Sequence, residues 1–162
     1  NDEIWDSFYN FYLNTIDKKW GGAYLTKEFF YLLNETMKNN ILLIIAKQDE
    51  KVVAGALNFI SKNTLYGRNW GSIVNIPFLH FELCYYQAIE YAIEKGIKIV
   101  EAGAQGHHKI QRGYIAKPTY SNHFLLNDSF AKAVKNFTKL EEIEVNKQIK
   151  FINTENSPYS SF

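Results

Sequence analysis

The segment GAQGHHKIQRGY, residues 103–114, concentrates side chains that could do chemistry. It contains two adjacent histidines together with Lys109 and Arg112, and it follows an apolar run that ends in Glu101. A carboxylate at the end of a buried strand needs a charged or hydrogen-bonding partner, so Glu101 is a candidate general base or one half of a structural ion pair. Lys109 and Arg112 could hold an anion beside glycine N–H groups, but a glycine-rich strand exit fits the same residues.

A second polar group lies earlier in the chain, in YGRNWG and at the start of HFELCYYQ. Arg68 and Trp70 could pair with an anion and stack on a ligand, or they could cap a strand and fill the core. Glu82 falls in the first turn of a predicted helix, where the helix dipole stabilises a negative charge. Glu82 is therefore a second candidate base, and a solvated helix face is the alternative interpretation.

The sequence gives less support for phosphate-loop, nucleophilic or metal-dependent chemistry. The Walker and GxGxxG phosphate patterns are absent, and Ser121 lacks the GxSxG elbow of a serine nucleophile. Cys84 falls on the apolar face of its predicted helix, as an inert thiol does. No histidine and cysteine spacing resembles a zinc site, so we expect no metal. The histidines of the chain are His80, His107, His108 and His123.

Hydrophobic periodicity predicts the elements that position these groups. Residues 1–38 are predicted to form a helical pair, with Thr26 as N-cap of the second helix. Residues 41–126 are predicted to form a mixed sheet with its connecting helices. It begins with a hairpin and a third strand, in which glycines mark a bulge or a close backbone approach. A crossover helix that ends at Gly96, a buried parallel strand, a short helix and a strand over 119–126 follow. Residues 128–152 are predicted to form a final helix.

Two of the predicted helices are expected to bury one face each, because their apolar residues recur at helical spacing. On the crossover helix the buried face is Phe81, Cys84, Tyr85, Ala88, Ala92 and Ile93. On the last helix it is Phe130, Val134, Phe137 and Leu140. The order of elements predicts a three-layer α/β fold, a single domain over residues 1–162, with ligand groups converging at the third strand's end, at His80 and after Glu101.

Bulk properties exclude some classes. The 162 residues carry a formal net charge of +1, which gives no general basic field for nucleic acid. No apolar run approaches the roughly 20 residues of a membrane span. The single cysteine fits a reducing compartment, and we expect a cytoplasmic protein. Because the chain begins without Met, we expect a fragment of a longer protein.

Four motifs in this order, YGRNWG, HFELCYYQAIEYAIEKGI, EAGAQGHHKIQRGY and TYSNHF, resemble the C-terminal half of a bacterial family of N-acyltransferases. That family is related to the Fem-type peptidoglycan aminoacyl transferases within the GNAT superfamily. The resemblance implies a GNAT-like fold with a cleft between the third strand and the strand ending at Glu101. It also implies direct transfer of an acyl group, usually from acyl-CoA as co-substrate, to an amine acceptor, without a permanently bound cofactor.

On the motif positions we expect Glu82 or Glu101 to be the general base, with His108 as the alternative, and Gln105 or His80 to orient substrate or polarise the carbonyl. The binding residues that the motifs imply are Arg68, Trp70, Tyr85, Tyr86, Gly103, Gly106, Lys109, Arg112 and His123.

Two departures from the family pattern keep other hypotheses open. His107 stands where relatives are expected to carry a glutamate, and VNIPFLHFE stands where GNAT enzymes carry a glycine-rich pyrophosphate loop. The alternatives are a non-catalytic ligand-binding half of a duplicated Fem-like protein and an aminoacyl-tRNA-dependent transferase. An oligomer is also possible.

Overall fold

The computed structural model describes residues 2–17, 22–103 and 106–155. The chain forms two compact units, residues 1–104 and residues 105–162. The expectation of a single domain over residues 1–162 stays a prediction. Among the described residues, none of the helices has both the length and the apolar character to cross a membrane.

The first unit is built on a four-stranded sheet of order β1-β2-β3-β4. The strands are β1 (Ile41–Gln48), β2 (Lys51–Ile60), β3 (Thr64–Ser72) and β4 (Ile99–Glu101). The pairs β1/β2 and β2/β3 are antiparallel, and β3/β4 is parallel. The mixed, mostly antiparallel sheet and the hairpin are therefore confirmed.

Helices α1 (Asp2–Asp17) and α2 (Lys27–Thr36) cover one face of the sheet. Both were predicted, and Thr26 is the N-cap of α2, where its hydroxyl accepts the Phe29 N–H at 3.4 Å. The core on this face is mostly aromatic and is made of Trp5, Phe8, Phe11, Tyr12, Phe30, Leu33 and Leu57. Two glycines let α1 approach the strands: Gly55 faces the Phe8 ring, and Gly71 faces the Phe11 backbone.

The crossover helix covers the opposite face, so the molecule has the predicted three layers in this unit. It comprises α3 (Leu79–Phe81), a π-helical turn (Glu82–Tyr86) and α4 (Gln87–Lys95). Its core cluster contains Ala54, Ala56 and Leu83, with Cys84 packed against it. Gly96 ends the helix at φ +66°, as predicted.

The π turn corrects the predicted face of this helix. Ile93 was expected to be buried but is 75% exposed, and Leu83, which the pattern did not select, is 3% exposed. A π turn inserts one residue into the helical repeat, so a face counted at 3.6 residues per turn is out of phase across it.

The strand that follows is shorter and less buried than predicted. Only Ile99–Glu101 pairs, opposite Thr64–Tyr66, although residues 97–103 were expected to form a buried strand. Ile99 and Glu101 are exposed and Val100 is half-buried. The reason is position: β4 is the last strand of the described sheet, so it has a neighbour on one side only.

The second unit consists of a 3-10 turn (His107–Arg112), a segment without helix or strand, and α5 (Asp128–Thr154). The short helix and the last helix are confirmed, and the Asn127 side chain caps α5 by accepting the Phe130 N–H at 2.9 Å. The strand predicted over residues 119–126 is wrong. Tyr120, Phe124 and Leu126 are 89–90% exposed, and alternation without a neighbouring strand supplies no backbone partners.

The predicted inward face of α5 is also wrong. Phe130, Phe137 and Leu140 are 58%, 61% and 69% exposed, and Val134 is half-buried. No described residue of α5 is buried. Helical periodicity identified the helix correctly but does not determine whether its apolar face is covered.

Candidate functional site

A cavity of about 370 Å³ lies in the first unit where β3 ends. Its lining comes from three places: the last residues of β3, the loop of residues 73–78 and the first turn of α3, with one contribution from α1. The lining residues are Thr15, Trp70, Ser72, Val74, Asn75, Ile76, Phe78, Leu79, His80 and Phe81. The convergence of the third strand's end with the helix start at His80 was predicted, and the structure confirms it.

Local hydrogen bonds shape the loop that lines the cavity. The Ser72 hydroxyl donates to the Val74 carbonyl at 2.8 Å and accepts the Val74 N–H at 3.0 Å, which turns the chain as β3 ends. Phe78 then adopts φ +67°, a left-handed conformation that costs a bulky residue energy. The Phe78 carbonyl accepts the N–H groups of Phe81 and Glu82, so this strained residue starts the helix.

The imidazole of His80 lies among aromatic rings at the cavity. Its centroid is 5.3 Å from the Trp70 ring and 5.5 Å from the Tyr85 ring, both in edge-on geometry. Phe81 stacks on Phe78 and on Tyr85, at interplanar angles of 27° and 29°. Of the described residues that line the cavity, His80 is the only titratable one, so it is the group there that could accept a proton.

The predicted base Glu82 lies outside this lining. Its carboxylate is exposed on the solvent side of the helix, where the Gln87 amide donates to Glu82 Oε1 at 2.9 Å and to Glu90 Oε2 at 3.1 Å. Tyr86 is 44% exposed, whereas Tyr85 is buried beside His80. Tyr85 therefore lies at the site, whereas the side chains of Glu82 and Tyr86 are exposed to solvent.

Glu101 is exposed, and the expectation that it ends a buried strand is wrong. Water solvates its carboxylate, so the need for an ionic partner disappears. Glu101 pairs with Tyr66 in the parallel ladder, while β3 continues to Ser72. Trp70 is four residues further along β3, roughly 13 Å at the rise of a strand, so Glu101 lies away from the cavity.

Arg68 is the extra residue of a β-bulge. Leu57 pairs with Asn69 and Asn58 pairs with Gly67, which leaves Arg68 without an opposite residue. Its guanidinium donates to the Tyr24 hydroxyl at 3.4 Å on the exposed surface. The predicted glycine-marked bulge is confirmed, and Arg68 is placed on the surface beside Tyr24.

The second unit contains five predicted site residues whose positions are described: Gly106, His108, Lys109, Arg112 and His123. Lys109 lies on the 3-10 turn, and burial lowers the pKa of its ammonium. Arg112 donates to the His108 carbonyl, and Gly106 adopts φ +106° against the His108 ring. His123 Nε2 is 2.9 Å from the Ser121 hydroxyl.

The remaining predicted residues are Gly103 and Gln105. Gly103 is the last described residue before a gap and adopts φ +74°. Gln105 lies outside the described residues. Among the described residues, His, Cys, Asp and Glu side chains form no group of three that could hold a metal ion.

Comparison with known proteins assigns the family. A family model named FemAB-like, described as peptidoglycan biosynthesis/recognition, matches residues 1–161. The chain belongs to the FemAB-like family. No curated protein matches it.

Solved structures similar to this FemAB-like chain include those of an acetyltransferase. Two are crystal structures of the aminoglycoside acetyltransferase meta-AAC0020 from an uncultured soil metagenomic sample, one in complex with sisomicin and one with trehalose. Each has a TM-score of 0.55 and covers 78% of this chain and 91% of its own, at 14% and 15% identity. The likeness shows that the fold is GNAT-like, as expected. Family and fold together support an acyl or aminoacyl transferase in general.

Most of the cavity lining in this FemAB-like chain was not selected from the sequence. Trp70 and His80 were, but the residues of the loop VNIPF were noted only for the absence of a glycine-rich pattern. A signal existed, because ligands in open α/β sheets bind beyond the carboxyl ends of strands, and this loop follows such an end. Thr15 had no signal, since it reaches the cavity from a distant helix.

Proposed function

We propose that this chain is an N-acyltransferase that passes an acyl group from an activated donor directly to an amine at the cavity beside His80. The observation that carries the proposal is the position of His80, a titratable ring at the carboxyl end of a GNAT-like sheet. Acyl-CoA is the donor that we propose, following the resemblance of the motifs to acyltransferases that use it, and its phosphates would lie outside the helix start at Leu79.

In this reaction the amine nitrogen attacks the acyl carbonyl carbon and a C–N bond forms. The bond from that carbon to the donor's sulfur or oxygen breaks. His80 accepts the proton that the amine loses and can return it to the leaving group, so no covalent enzyme intermediate is needed. Trp70 and Tyr85 hold the imidazole ring by contact on two sides.

Backbone geometry supports a donor site on the same strand. The parallel partner β4 pairs only with Thr64–Tyr66, while β3 runs on to Ser72. N–H and C=O groups beyond the last pair can hydrogen-bond with an extended ligand, as an added strand would. The amide-containing arm of coenzyme A has this chemistry.

The test is transfer by the purified protein, followed by mass spectrometry of the acceptor. Acyl-CoAs of different chain length are the donors, and soluble muropeptides and sisomicin are the acceptors, following the family description and the solved neighbour. His80→Gln keeps a similar size but removes the base. We expect it to lower kcat by about 10²–10⁴-fold with little change in KM.

Glu82→Gln is the matched control, because Glu82 is exposed on the same helix and lies outside the cavity lining. We expect it to retain wild-type kcat. If Glu82→Gln loses activity and His80→Gln does not, the assignment of the base is wrong. If the folded wild-type protein transfers none of the acyl groups, the non-catalytic alternative is favoured instead.

A further inference from the structure

The hydroxyl groups that line the cavity are already engaged in internal hydrogen bonds. The Thr15 hydroxyl donates to the Phe11 carbonyl at 3.0 Å, one turn back on α1. The Ser72 hydroxyl donates to the Val74 carbonyl and accepts the Val74 N–H. These two groups therefore have little capacity left for a ligand, and a polyhydroxyl ligand would lose its hydrogen bonds to water here.

Apart from Asn75 and His80, the other lining side chains are apolar or aromatic and uncharged, and backbone groups add polar surface beside them. The apolar side chains are Trp70, Val74, Ile76, Phe78, Leu79 and Phe81. No lysine, arginine, aspartate or glutamate is among the described lining residues, so a charged ligand group would be desolvated without a counter-charge. The lining therefore offers no full charge to a ligand.

The helix start beside the cavity is poorly suited to a phosphate. The Leu79 N–H donates to the Ile76 carbonyl at 3.3 Å, and the N–H groups of Phe81 and Glu82 donate to the Phe78 carbonyl at 2.9 and 3.1 Å. An anion site at a helix start uses such N–H groups, and here these three are bonded within the turn.

We propose that this cavity binds the uncharged, apolar acyl group of the donor, and that it prefers acyl groups larger than acetyl. The proposal rests on the proposed function. A volume of about 370 Å³ is several times that of an acetyl group. At roughly 30 Å³ per water-sized group it holds about a dozen non-hydrogen atoms, as in a six- to ten-carbon or phenyl-bearing acyl chain.

Binding of carrier-free amides tests this inference without any transfer reaction. The probes are acetamide, hexanamide and succinamate, titrated into the whole chain while the indole N–H signal of Trp70 is followed by NMR. The signal is assigned with Trp70→Phe. We expect hexanamide to bind at least about tenfold more tightly than acetamide, because each buried methylene group adds affinity. Succinamate, which carries a charge, should bind no better than acetamide.

A pair of isoleucine-to-tryptophan variants locates the site. Ile76 lines the cavity at 44% exposure, and Ile93 lies on α4 at 75% exposure, so both should accept the larger ring without disturbing the core. We expect Ile76→Trp to weaken hexanamide binding at least about fivefold and Ile93→Trp to leave the hexanamide affinity unchanged. Val74→Phe, which fills the cavity from within, is the second variant should Ile76→Trp melt early.

The outcomes separate this inference from the proposed function. Three outcomes would overturn the acyl pocket. They are equal affinity for acetamide and hexanamide, succinamate binding as tight as that of hexanamide, and wild-type hexanamide affinity in both Ile76→Trp and Val74→Phe. Selective hexanamide binding in a protein that transfers no acyl group would keep the pocket and reject the transferase. Transfer limited to acetyl groups would keep the transferase and reject the pocket.

Discussion

The thiol of Cys84 packs against Ala54, Ala56 and Leu83, and burial raises its pKa to about 12. The thiolate is the reactive form, so we expect DTNB at pH 8 to modify the native protein roughly a hundredfold more slowly than the protein in urea. Absorbance of the released thiolate is the measurement. Cys84 is the only cysteine of the chain, so the signal reports this group alone. Equal rates in both states would contradict the burial.

The raised pKa of Cys84 also predicts how the stability of the fold changes at alkaline pH. The pKa of Cys84 is higher in the folded protein than in the unfolded chain, where a thiol ionises near 8.5. Its contribution to stability is therefore complete below that pH and is lost as pH rises towards about 12.

Single residues of the site were partly predictable. Trp70 and His80 could be placed from the sequence because strand ends and helix starts meet at one edge of a sheet. Glu101 was misjudged because an apolar run was equated with burial, whereas burial of a strand depends on how many neighbours it has. Glu82 was selected for its motif, and helix geometry turns its carboxylate to water.

Among the elements, the hairpin and the first two helices followed from pattern and capping alone. The crossover helix was found, but its buried face was shifted by the π turn at Glu82–Tyr86. A π turn leaves no reliable mark on hydrophobic spacing, since it depends on what the helix packs against. For this reason Ile93 is exposed although it was predicted to be buried, and Leu83, which was not selected, is buried.

Packing between α1 and β3 depends on Gly71, which leads to a graded prediction. A Cβ at Gly71 would overlap the Phe11 backbone, one at Gly55 would lie 2.8 Å from the Phe8 ring, and one at Gly22 would meet nothing within 4 Å. We expect Gly71→Ala to lower the free energy of unfolding by at least about 2 kcal/mol. Gly55→Ala should cost less, because a ring can shift and a backbone cannot.

Gly22→Ala is the control for this series and should unfold at the wild-type urea concentration. Urea unfolding followed by circular dichroism gives the three values. An order in which Gly22→Ala is the most damaging would contradict the close approach of α1 to the sheet.

The two N-terminal helices are joined by a polar cluster that responds to acid. The Lys27 ammonium lies 2.7 Å from Asp6, and the Tyr31 hydroxyl donates to the same carboxylate. Hydrogen bonds from Lys27 and Tyr31 lower the pKa of Asp6. Its stabilising effect is therefore present above the ordinary aspartate pKa and is lost as pH falls through the lowered value.

We expect Asp6→Asn to lower the melting temperature modestly at pH 7 and to flatten the loss of stability in acid. Melting curves from pH 2 to pH 7 are the measurement. Glu50→Gln is the control, because its partner Lys47 is 3.6 Å away and the Glu50 side chain is 94% exposed. Parallel acid profiles for Asp6→Asn and the wild type would show that this cluster does not join the helices.

At the scale of the whole molecule, the sequence could not show where burial is uneven. Helix α5 has the periodicity of a core helix, yet Phe130, Phe137 and Leu140 are exposed. Periodicity records which residues share a face, while coverage depends on long-range contacts that no local window contains. The apolar alternation of residues 119–126 misled the prediction in the same way.

This uneven burial predicts a gradient of local stability. Residues 53–58 of β2 are all buried, whereas the 27 residues of α5 include none that are buried. The Asn153 side chain holds α5 to Ala116 of the same unit by two hydrogen bonds, but a helix with no buried residue gains little from apolar burial and opens readily in water. We expect α5 amides to exchange at least about a hundredfold faster than those of β2 in hydrogen–deuterium exchange. Helix α1, which is packed on the sheet through Phe8 and Phe11, is the internal control and should exchange as slowly as β2. Slow exchange throughout α5 would mean that its apolar face is covered in solution, and a dependence of that protection on protein concentration would identify a second copy of the chain as the cover.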